Sequence, residues 1–235
     1  MGRRVQVIGL IGGLSWVSTE HYYRLINEDV AARLGAQHCA RLVLWQTDFA
    51  EIVVLQEEGR WDEAGEILAA GAASLRAAGA EVIGIGANTM HLVADQVRTA
   101  AAPSRLVHIA EAVRDACAAA SITKIGLFGT AYTMASPDLY PPILAAAGID
   151  TLVPDGSAQD EIQRITYEEL IRDVVTDDTR AFFRATAGEL VARGADAIVL
   201  ACTEHGLVLG RDDLGVPVFD TAVLHARALV DAATG

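Results

Sequence analysis

A chain of 235 residues is long enough for one large domain or two modest ones, and a composition that is 52% hydrophobic and 21% charged is typical of a globular protein. The formal charge of −13 argues against nucleic acid as a partner, because phosphate binding draws on clustered Lys and Arg. Three widely spaced cysteines exclude a disulfide framework. The sequence has neither a signal-peptide pattern nor an apolar run of the ~18 residues that a membrane helix needs, so we expect a cytoplasmic protein without a membrane partner.

Short apolar runs alternate with longer amphipathic runs, which is typical of parallel strands covered by helices. In chain order, the sequence predicts strand Val5–Leu10, helix Ser18–Leu34, strand Arg41–Thr47, helix Trp61–Ala78, strand Val82–Gly86, helix Leu92–Ala100, strand Leu106–Ile109, helix Ala110–Ala120, strand Lys124–Phe128, helix Met134–Ala147, strand Thr151–Val153, helices Asp160–Val174 and Thr179–Arg193, strands Ala197–Ala201 and Val216–Phe219, and helix Thr221–Ala233.

An internal repeat organises these elements. Segment Ala78–His91 has a counterpart in Arg193–His205, since each contains a helix end, Gly-Ala, an acidic residue, an apolar strand and a polar turn. When the two segments are aligned in this register, Ala87 is the counterpart of Cys202. Two further matches pair Val7–Gly12 with Lys124–Gly129 and, more weakly, Leu106–Ala110 with Val218–Ala222.

The repeat predicts an α/β protein of two pseudo-symmetric halves, each a doubly wound parallel sheet. Residues 1–112 form the first half, completed by the C-terminal helix over 221–235, and residues 113–220 form the second. Open α/β sheets bind ligands at the carboxyl ends of their strands, so we expect the active site in a cleft between the halves.

Cys202 is the first candidate for chemistry. It ends an apolar strand and precedes polar residues, where backbone N–H groups and a helix dipole can tune a thiol toward thiolate. A cysteine beside a strand is more commonly a small buried hydrophobe. Its place in the repeat and the residues Thr203 and Glu204 favour the functional interpretation.

The glycine turns after the first strand of each half carry hydroxyl groups. Ser15 follows Gly12-Gly13, where a turn into a helix offers backbone N–H groups for a carboxylate. Thr130 and Thr133 hold the equivalent turn in the second half, and they either cap a helix or bind a substrate carboxylate.

The histidines do not form a metal-ligand pattern. His91 and His205 recur at nearby places in the two halves, and we expect both near the cleft as auxiliary residues. For a lone histidine near a strand end, a structural role is the commoner one.

Several motifs together resemble the aspartate/glutamate racemase family, in family order and over nearly the whole chain. They are Gly12–Trp16, Ser18-Thr19, Tyr22-Tyr23, Asn88–His91, Gly129-Thr130, Tyr132–Met134, Tyr167–Leu170, Cys202–Glu204 and Pro217–Thr221.

The resemblance implies a racemase that works with neither a metal nor an organic cofactor such as pyridoxal phosphate. Two acid/base groups face each other across the cleft; one removes the α-proton of an amino acid and the other donates a proton from the opposite face. Cys202 is one of the two groups. The resemblance also implies a small amino acid or dicarboxylic acid as substrate, with aspartate and glutamate the leading candidates, and a homodimer. The implied substrate-binding residues are Ser15, Gln46, Asn88, Thr89, Thr130, Thr133, Thr203 and Glu204.

The chain departs from the family at the second acid/base group. Relatives carry Cys or sometimes Thr directly before the Asn88-Thr89 pair, whereas this chain has Ala87, whose methyl group cannot transfer a proton. Relatives also often carry Lys at the position of Ile171 and an aliphatic residue at the position of His205.

Four interpretations of Ala87 stay open. The substitution was introduced to trap a substrate in a racemase, or it is natural and Cys202 works alone. The second case has a family precedent in arylmalonate decarboxylase, in which a single cysteine protonates one face of an enolate. In the third, water or His91 replaces the missing group; in the fourth, the protein binds an amino acid without catalysis. We favour the racemase.

Overall fold

A computed structural model of the chain describes residues 4–210 and 213–235. The strands in these ranges are β1 (Ile8–Gly12), β2 (Leu42–Gln46), β3 (Val82–Ile85), β4 (Arg105–Leu106), β5 (Lys124–Gly129), β6 (Asp150–Leu152), β7 (Ala197–Ala201) and β8 (Val218–Asp220). The α-helices are α1 (Trp16–Leu34), α2 (Phe49–Glu57), α3 (Trp61–Ala77), α4 (Ala94–Ala101), α5 (Ile109–Ala119), α6 (Ala131–Ala135), α7 (Pro141–Ala145), α8 (Gly156–Glu168), α9 (Asp177–Ala192) and α10 (Thr221–Thr234). Short 3₁₀ helices cover Thr89–Val93, Leu170–Arg172 and His205–Leu207.

The strands form two parallel sheets with the same internal order. The first sheet is ordered β2-β1-β3-β4 and the second β6-β5-β7-β8. The three sequence matches fall on β1 and β5, on β3 and β7, and on β4 and β8, which are equivalent positions in the two sheets. The prediction of an α/β fold with two similar parallel-sheet halves is therefore confirmed.

The chain divides into two compact units. Unit 1 comprises the described residues of Met1–His108 together with His225–Gly235. Unit 2 comprises the described residues of Ile109–Leu224. The predicted boundaries, 112/113 and 220/221, lie four residues from these. Within unit 1 the end of the chain is fixed beside its beginning, because the Gln6 N–H donates to the Ala233 carbonyl at 2.9 Å.

Each unit has a core between its sheet and its helices. The central strands β1, β3 and β7 are buried along their whole length, as expected for parallel strands covered on both faces. In unit 2, Phe128 of β5 packs against Phe183 of α9, with ring centroids 5.9 Å apart. None of the described helices combines the length and apolar character needed to cross a bilayer.

One predicted helix is interrupted in the structure, so its prediction as a single helix is wrong. The sequence predicts a single helix over Met134–Ala147, but α6 ends at Ala135 and α7 begins at Pro141. A proline lacks the N–H that a continuing helix needs, so the Pro141-Pro142 pair is accommodated in the first turn of a new helix. The predicted helix Asp160–Val174 likewise begins earlier, at Gly156, and ends at Glu168.

Two further elements differ from the prediction. Helix α2 was not predicted; it begins after Asp48, whose carboxylate accepts the Ala50 N–H at 3.1 Å as an N-cap. The predicted strand Leu106–Ile109 is wrong beyond Leu106, because β4 has two residues and α5 begins at Ile109.

Candidate active site

The carboxyl edge of the sheet in unit 2 carries Cys202. Strand β7 ends at Ala201, which pairs with Gly129 at the end of β5. Cys202 and Thr130 therefore follow neighbouring strand ends. The Cys202 side chain is buried, with 7% of its surface exposed.

A carboxylate lies against the Cys202 thiol. The thiol donates to Oε2 of Glu204 at 3.2 Å, and the Thr203 hydroxyl donates to the same oxygen at 2.6 Å. Glu204 is buried as well. The sequence placed Glu204 among the substrate-binding residues; in the structure its carboxylate is the hydrogen-bond acceptor of the Cys202 thiol.

The environment of Cys202 favours the neutral thiol. Burial raises the pKa of Cys202 well above its ordinary value, and the negative charges of Glu204 and Asp220 raise it further. The backbone N–H of Glu204 acts in the opposite direction but is outweighed. The tuning toward thiolate that the sequence position allows is thus outweighed by burial and neighbouring charge in this resting state.

Two tyrosines complete the surroundings of Cys202. The Tyr140 hydroxyl is hydrogen-bonded to Thr221, whose own hydroxyl donates to the Leu200 carbonyl at 2.7 Å. Burial raises the pKa of Tyr167, and the charges on Cys202 and Tyr132 raise it further. Sequence reasoning missed Tyr140; its one sequence signal is the proline pair that follows it and fixes the chain there.

Thr130 caps helix α6. Its hydroxyl oxygen accepts the Thr133 N–H at 3.2 Å, and its hydroxyl group lies 3.2 Å from that of Thr133, which is fully buried. Of the two roles left open by the sequence, the structure contains the helix cap.

Unit 1 repeats this arrangement at the end of β1. Ser15 caps α1, since its hydroxyl oxygen accepts the Ser18 N–H at 3.1 Å. The Gly13 N–H is not available to a ligand, because it donates to the Thr19 hydroxyl at 2.8 Å. Gly13 has φ +76°, and a Cβ there would lie 2.1 Å from the Thr47 carbonyl oxygen, so the turn requires glycine.

Ala87 lies two residues beyond β3, at the same edge of the first sheet. Its neighbour Gly86 donates its N–H to the Ile11 carbonyl at 2.8 Å, which keeps Ala87 close to the glycine turn. Asn88 and Thr89 are buried at the start of the 3₁₀ helix. Gln46 pairs with Gly12 at the end of β2, so it lies at this edge too.

The auxiliary histidines have backbone or framework partners. His91 Nδ1 donates to the Ala87 carbonyl at 2.8 Å, and the ring packs against His108 and His225 at centroid distances of 4.7 and 5.4 Å. His225 donates from Nε2 to the Val107 carbonyl at 2.9 Å. In unit 2, His205 bonds Thr166 of α8 at 3.0 Å.

Four buried histidines are held neutral. Burial lowers the pKa of His91 well below its ordinary value, and it lowers the pKa values of His108, His205 and His225 to about 4. In the unfolded chain a histidine has a pKa of about 6.5. Between the folded and the unfolded pKa values, these histidines therefore bind protons in the unfolded chain but stay neutral in the folded protein.

As the pH is lowered, the protein should consequently begin to lose stability at pH values well above those at which carboxylates titrate. The stabilisation is present above about pH 6.5 and is lost as pH falls toward about 4, at about 1.4 kcal/mol per pH unit for each histidine that is protonated only in the unfolded chain. Urea unfolding at a series of pH values from 7.5 to 4.5 measures this slope. His225→Gln should reduce the slope, whereas His38→Gln, at an exposed position, should not. A stability that does not change over this range would contradict the prediction.

Comparison with known proteins identifies relatives over the full length. The family model for Asp/Glu/hydantoin racemases matches residues 11–229. A candidate Asp/Glu racemase from Yersinia pestis is similar at 41% identity and TM-score 0.90, covering 98% of this chain and 100% of its own. An aspartate racemase homologue from Pyrococcus horikoshii is 31% identical, with TM-score 0.84 over 98% of this chain and 100% of its own. The Picrophilus torridus aspartate racemase, at 22% identity, shares the fold with TM-score 0.77 over 97% of this chain and 94% of its own.

Proposed function

Because the chain belongs to the Asp/Glu/hydantoin racemase family, we propose that it is a cofactor-independent amino-acid racemase in which Cys202 is the acid/base group for one face of the α-carbon. The observation that carries this proposal is the contact of the buried thiol with the Glu204 carboxylate at 3.2 Å. Among residues 4–210 and 213–235 no group of three His, Cys, Asp or Glu side chains could hold a metal ion.

The thiol and the carboxylate together hold one transferable proton. In the resting state the proton is on Sγ, since burial and neighbouring charges raise the pKa of Cys202. When a substrate binds, we propose that this proton moves to Glu204 Oε2, and that the resulting thiolate removes the α-proton. The thiol then returns a proton to the same face, and Glu204 returns its proton to sulfur.

Ala87 limits what the opposite face can do. Inversion of the α-carbon needs a second proton donor there, and the Ala87 side chain has no transferable proton. His91 is the nearest titratable candidate by sequence, but its Nδ1 proton is donated to the Ala87 carbonyl. The proposed chemistry of the chain is thus proton exchange on the Cys202 face, with inversion as the slower event.

The charges around Cys202 favour an amino acid over a malonate-type acid. Glu204 and Asp220 are both close enough to raise the pKa of the thiol by their negative charge. Two unit charges about 4 Å apart interact by about 4 kcal/mol at an effective dielectric constant of about 20. The ammonium group of an amino acid is attracted by these carboxylates, whereas a malonate dianion is repelled. We therefore place the single-cysteine decarboxylase second.

Exchange in deuterated buffer tests this proposal. L- and D-aspartate and L- and D-glutamate are incubated with the protein, and the α-proton signal is followed by NMR beside chiral chromatography. We expect one enantiomer to lose its α-proton without its mirror image appearing at the same rate. Inversion as fast as exchange would show a second acid/base group on the Ala87 face, and no exchange with any of the four would contradict the proposal.

We also propose a location and an assembly for the protein. All three cysteines are free, with Cys117 and Cys202 buried and Cys39 exposed, which fits the reducing cytoplasm. We propose that the protein is a homodimer, as the family resemblance implies. Sedimentation equilibrium over a range of protein concentrations would test it, and a monomer at all of them would contradict it.

A further inference from the structure

Unit 2 holds a buried histidine that the proposed proton transfers do not use. His205 is 0% exposed, and its backbone N–H donates to the Cys202 carbonyl at 3.1 Å. The N–H groups of Val208 and Leu209 in turn donate to the His205 carbonyl at 3.0 and 3.1 Å. His205 is therefore the centre of the backbone turn that follows Cys202.

The His205 side chain leaves this turn and binds helix α8. The Thr166 hydroxyl lies 3.0 Å from His205 Nε2, and the same hydroxyl donates to the Ile162 carbonyl at 2.7 Å. A hydroxyl has one proton, and here the Ile162 carbonyl accepts it. Nε2 must then carry the ring proton and donate it to Thr166.

The surroundings keep the imidazole neutral. Burial lowers the pKa of His205 to about 4, although the charge of Glu204 and the nearby Phe128 carbonyl act in the opposite direction. The Phe183 ring packs edge-on against the imidazole at a centroid distance of 5.0 Å. His205 is thus an uncharged hydrogen-bond donor with a fixed orientation at neutral pH.

The helix that His205 binds also carries a tyrosine whose pKa responds to the charge of Cys202. Tyr167 directly follows Thr166, and its hydroxyl is close enough to Cys202 and Glu204 for their charges to add to the effect of burial in raising the pKa of Tyr167. One hydrogen bond therefore connects the turn that holds the thiol and the carboxylate with the helix that holds Tyr167.

We propose that His205 is a positioning residue, whose hydrogen bond to Thr166 keeps Cys202 and Glu204 in contact with each other and beside Tyr167. The inference rests on the proposed role of Cys202. Loss of the bond frees the turn, lets water reach Sγ and moves the Glu204 carboxylate away from it. The two largest causes of the raised thiol pKa are then weakened, and the proton acceptor is misplaced.

Alkylation of Cys202 measures the first consequence without any substrate. Iodoacetamide is added over a series of pH values, and the modified Cys202 peptide is quantified by mass spectrometry, which separates it from the exposed Cys39. In His205→Met and in Thr166→Val the midpoint of reaction should move to lower pH. His205→Gln should keep the wild-type midpoint, because its amide nitrogen can donate to Thr166 as Nε2 does.

Deuterium exchange at the substrate α-carbon measures the second consequence. We expect His205→Met and Thr166→Val each to slow exchange about tenfold, the effect of losing about 1.4 kcal/mol of transition-state stabilisation. The double variant should be no slower than either single variant, because both remove the same hydrogen bond. His205→Gln should restore most of the rate.

Thr234→Val is the matched control for Thr166→Val. Thr234 makes the same hydroxyl bond to the carbonyl four residues earlier, at 2.8 Å to Val230, in unit 1. It should change neither readout. A folded His205→Met with the wild-type alkylation profile would overturn the inference, as would fully additive effects of the two substitutions. Absence of exchange in the wild type would overturn the proposed function alone, since the alkylation series would still decide the role of His205.

Discussion

Replacing Cys202 with alanine should abolish deuterium exchange at the substrate α-carbon. In the proposed mechanism the thiol removes the α-proton, and positioned general bases contribute about 10²- to 10⁴-fold to such steps. Cys202→Ala leaves Glu204 in place, but the alanine methyl group cannot relay its proton to the substrate. We expect a loss of about 10³-fold or more in the exchange rate, measured by NMR in deuterated buffer.

The other cysteines are the matched controls for this substitution. Cys39→Ala changes an exposed thiol, and Cys117→Ala changes one buried in helix α5, where burial raises its pKa to about 11. Both variants should exchange at the wild-type rate, provided that circular dichroism shows them to be folded. If Cys202→Ala also retained exchange, the thiol would have no part in the mechanism.

Glu204→Gln tests the role of the Glu204 carboxylate separately from that of the Cys202 thiol. The amide keeps the size of the side chain but cannot take the thiol proton. We expect slower exchange together with a lower pKa of the Cys202 thiol, because the negative charge that raises it is removed. A purely structural role of Glu204 would not produce these two changes together.

The fold could be predicted from the sequence to the level of its repeating units. A parallel strand buried on both faces is a continuous apolar run, so Ala197–Ala201 was predicted with its observed bounds. The repeat then fixed which strands are equivalent, and the two sheet orders agree with it. Short elements were the least predictable, since α2 depends on a single capping aspartate, Asp48, and the break before α7 on Pro141.

The place of Cys202 at the end of a buried strand was predictable from the sequence, but the electrostatics around its thiol were not. The end of a buried strand and the register against Ala87 both indicated Cys202. The sign of its pKa shift could not be derived, because it depends on how close the Glu204 and Asp220 side chains come to Sγ after folding. Tyr140 was missed for a similar reason: it is 49 residues or more from every predicted site residue except Thr130 and Thr133, and its hydrogen bond to Thr221 forms after folding.

Introducing a thiol at position 87 should convert one-face exchange into racemisation. Ala87 is the counterpart of Cys202 in the internal repeat, and β3 and β7 are equivalent strands, so Ala87→Cys places a proton donor at the equivalent point of the other unit. We expect the rate of inversion to rise by at least about 10²-fold, as chiral chromatography would measure. Ala87→Val, which adds volume without a transferable proton, should give no rise.

The double variant Ala87→Cys with Cys202→Ala provides the sharpest test of the two-half arrangement. If the two positions serve opposite faces of the α-carbon, moving the thiol from position 202 to position 87 should move exchange to the other enantiomer, again with retention. The measurement is the loss of the α-proton signal from each pure enantiomer, beside the single variants. Exchange of the same enantiomer as in the wild type would mean that positions 87 and 202 do not address opposite faces, and the mirror-image interpretation of the repeat would fail with it.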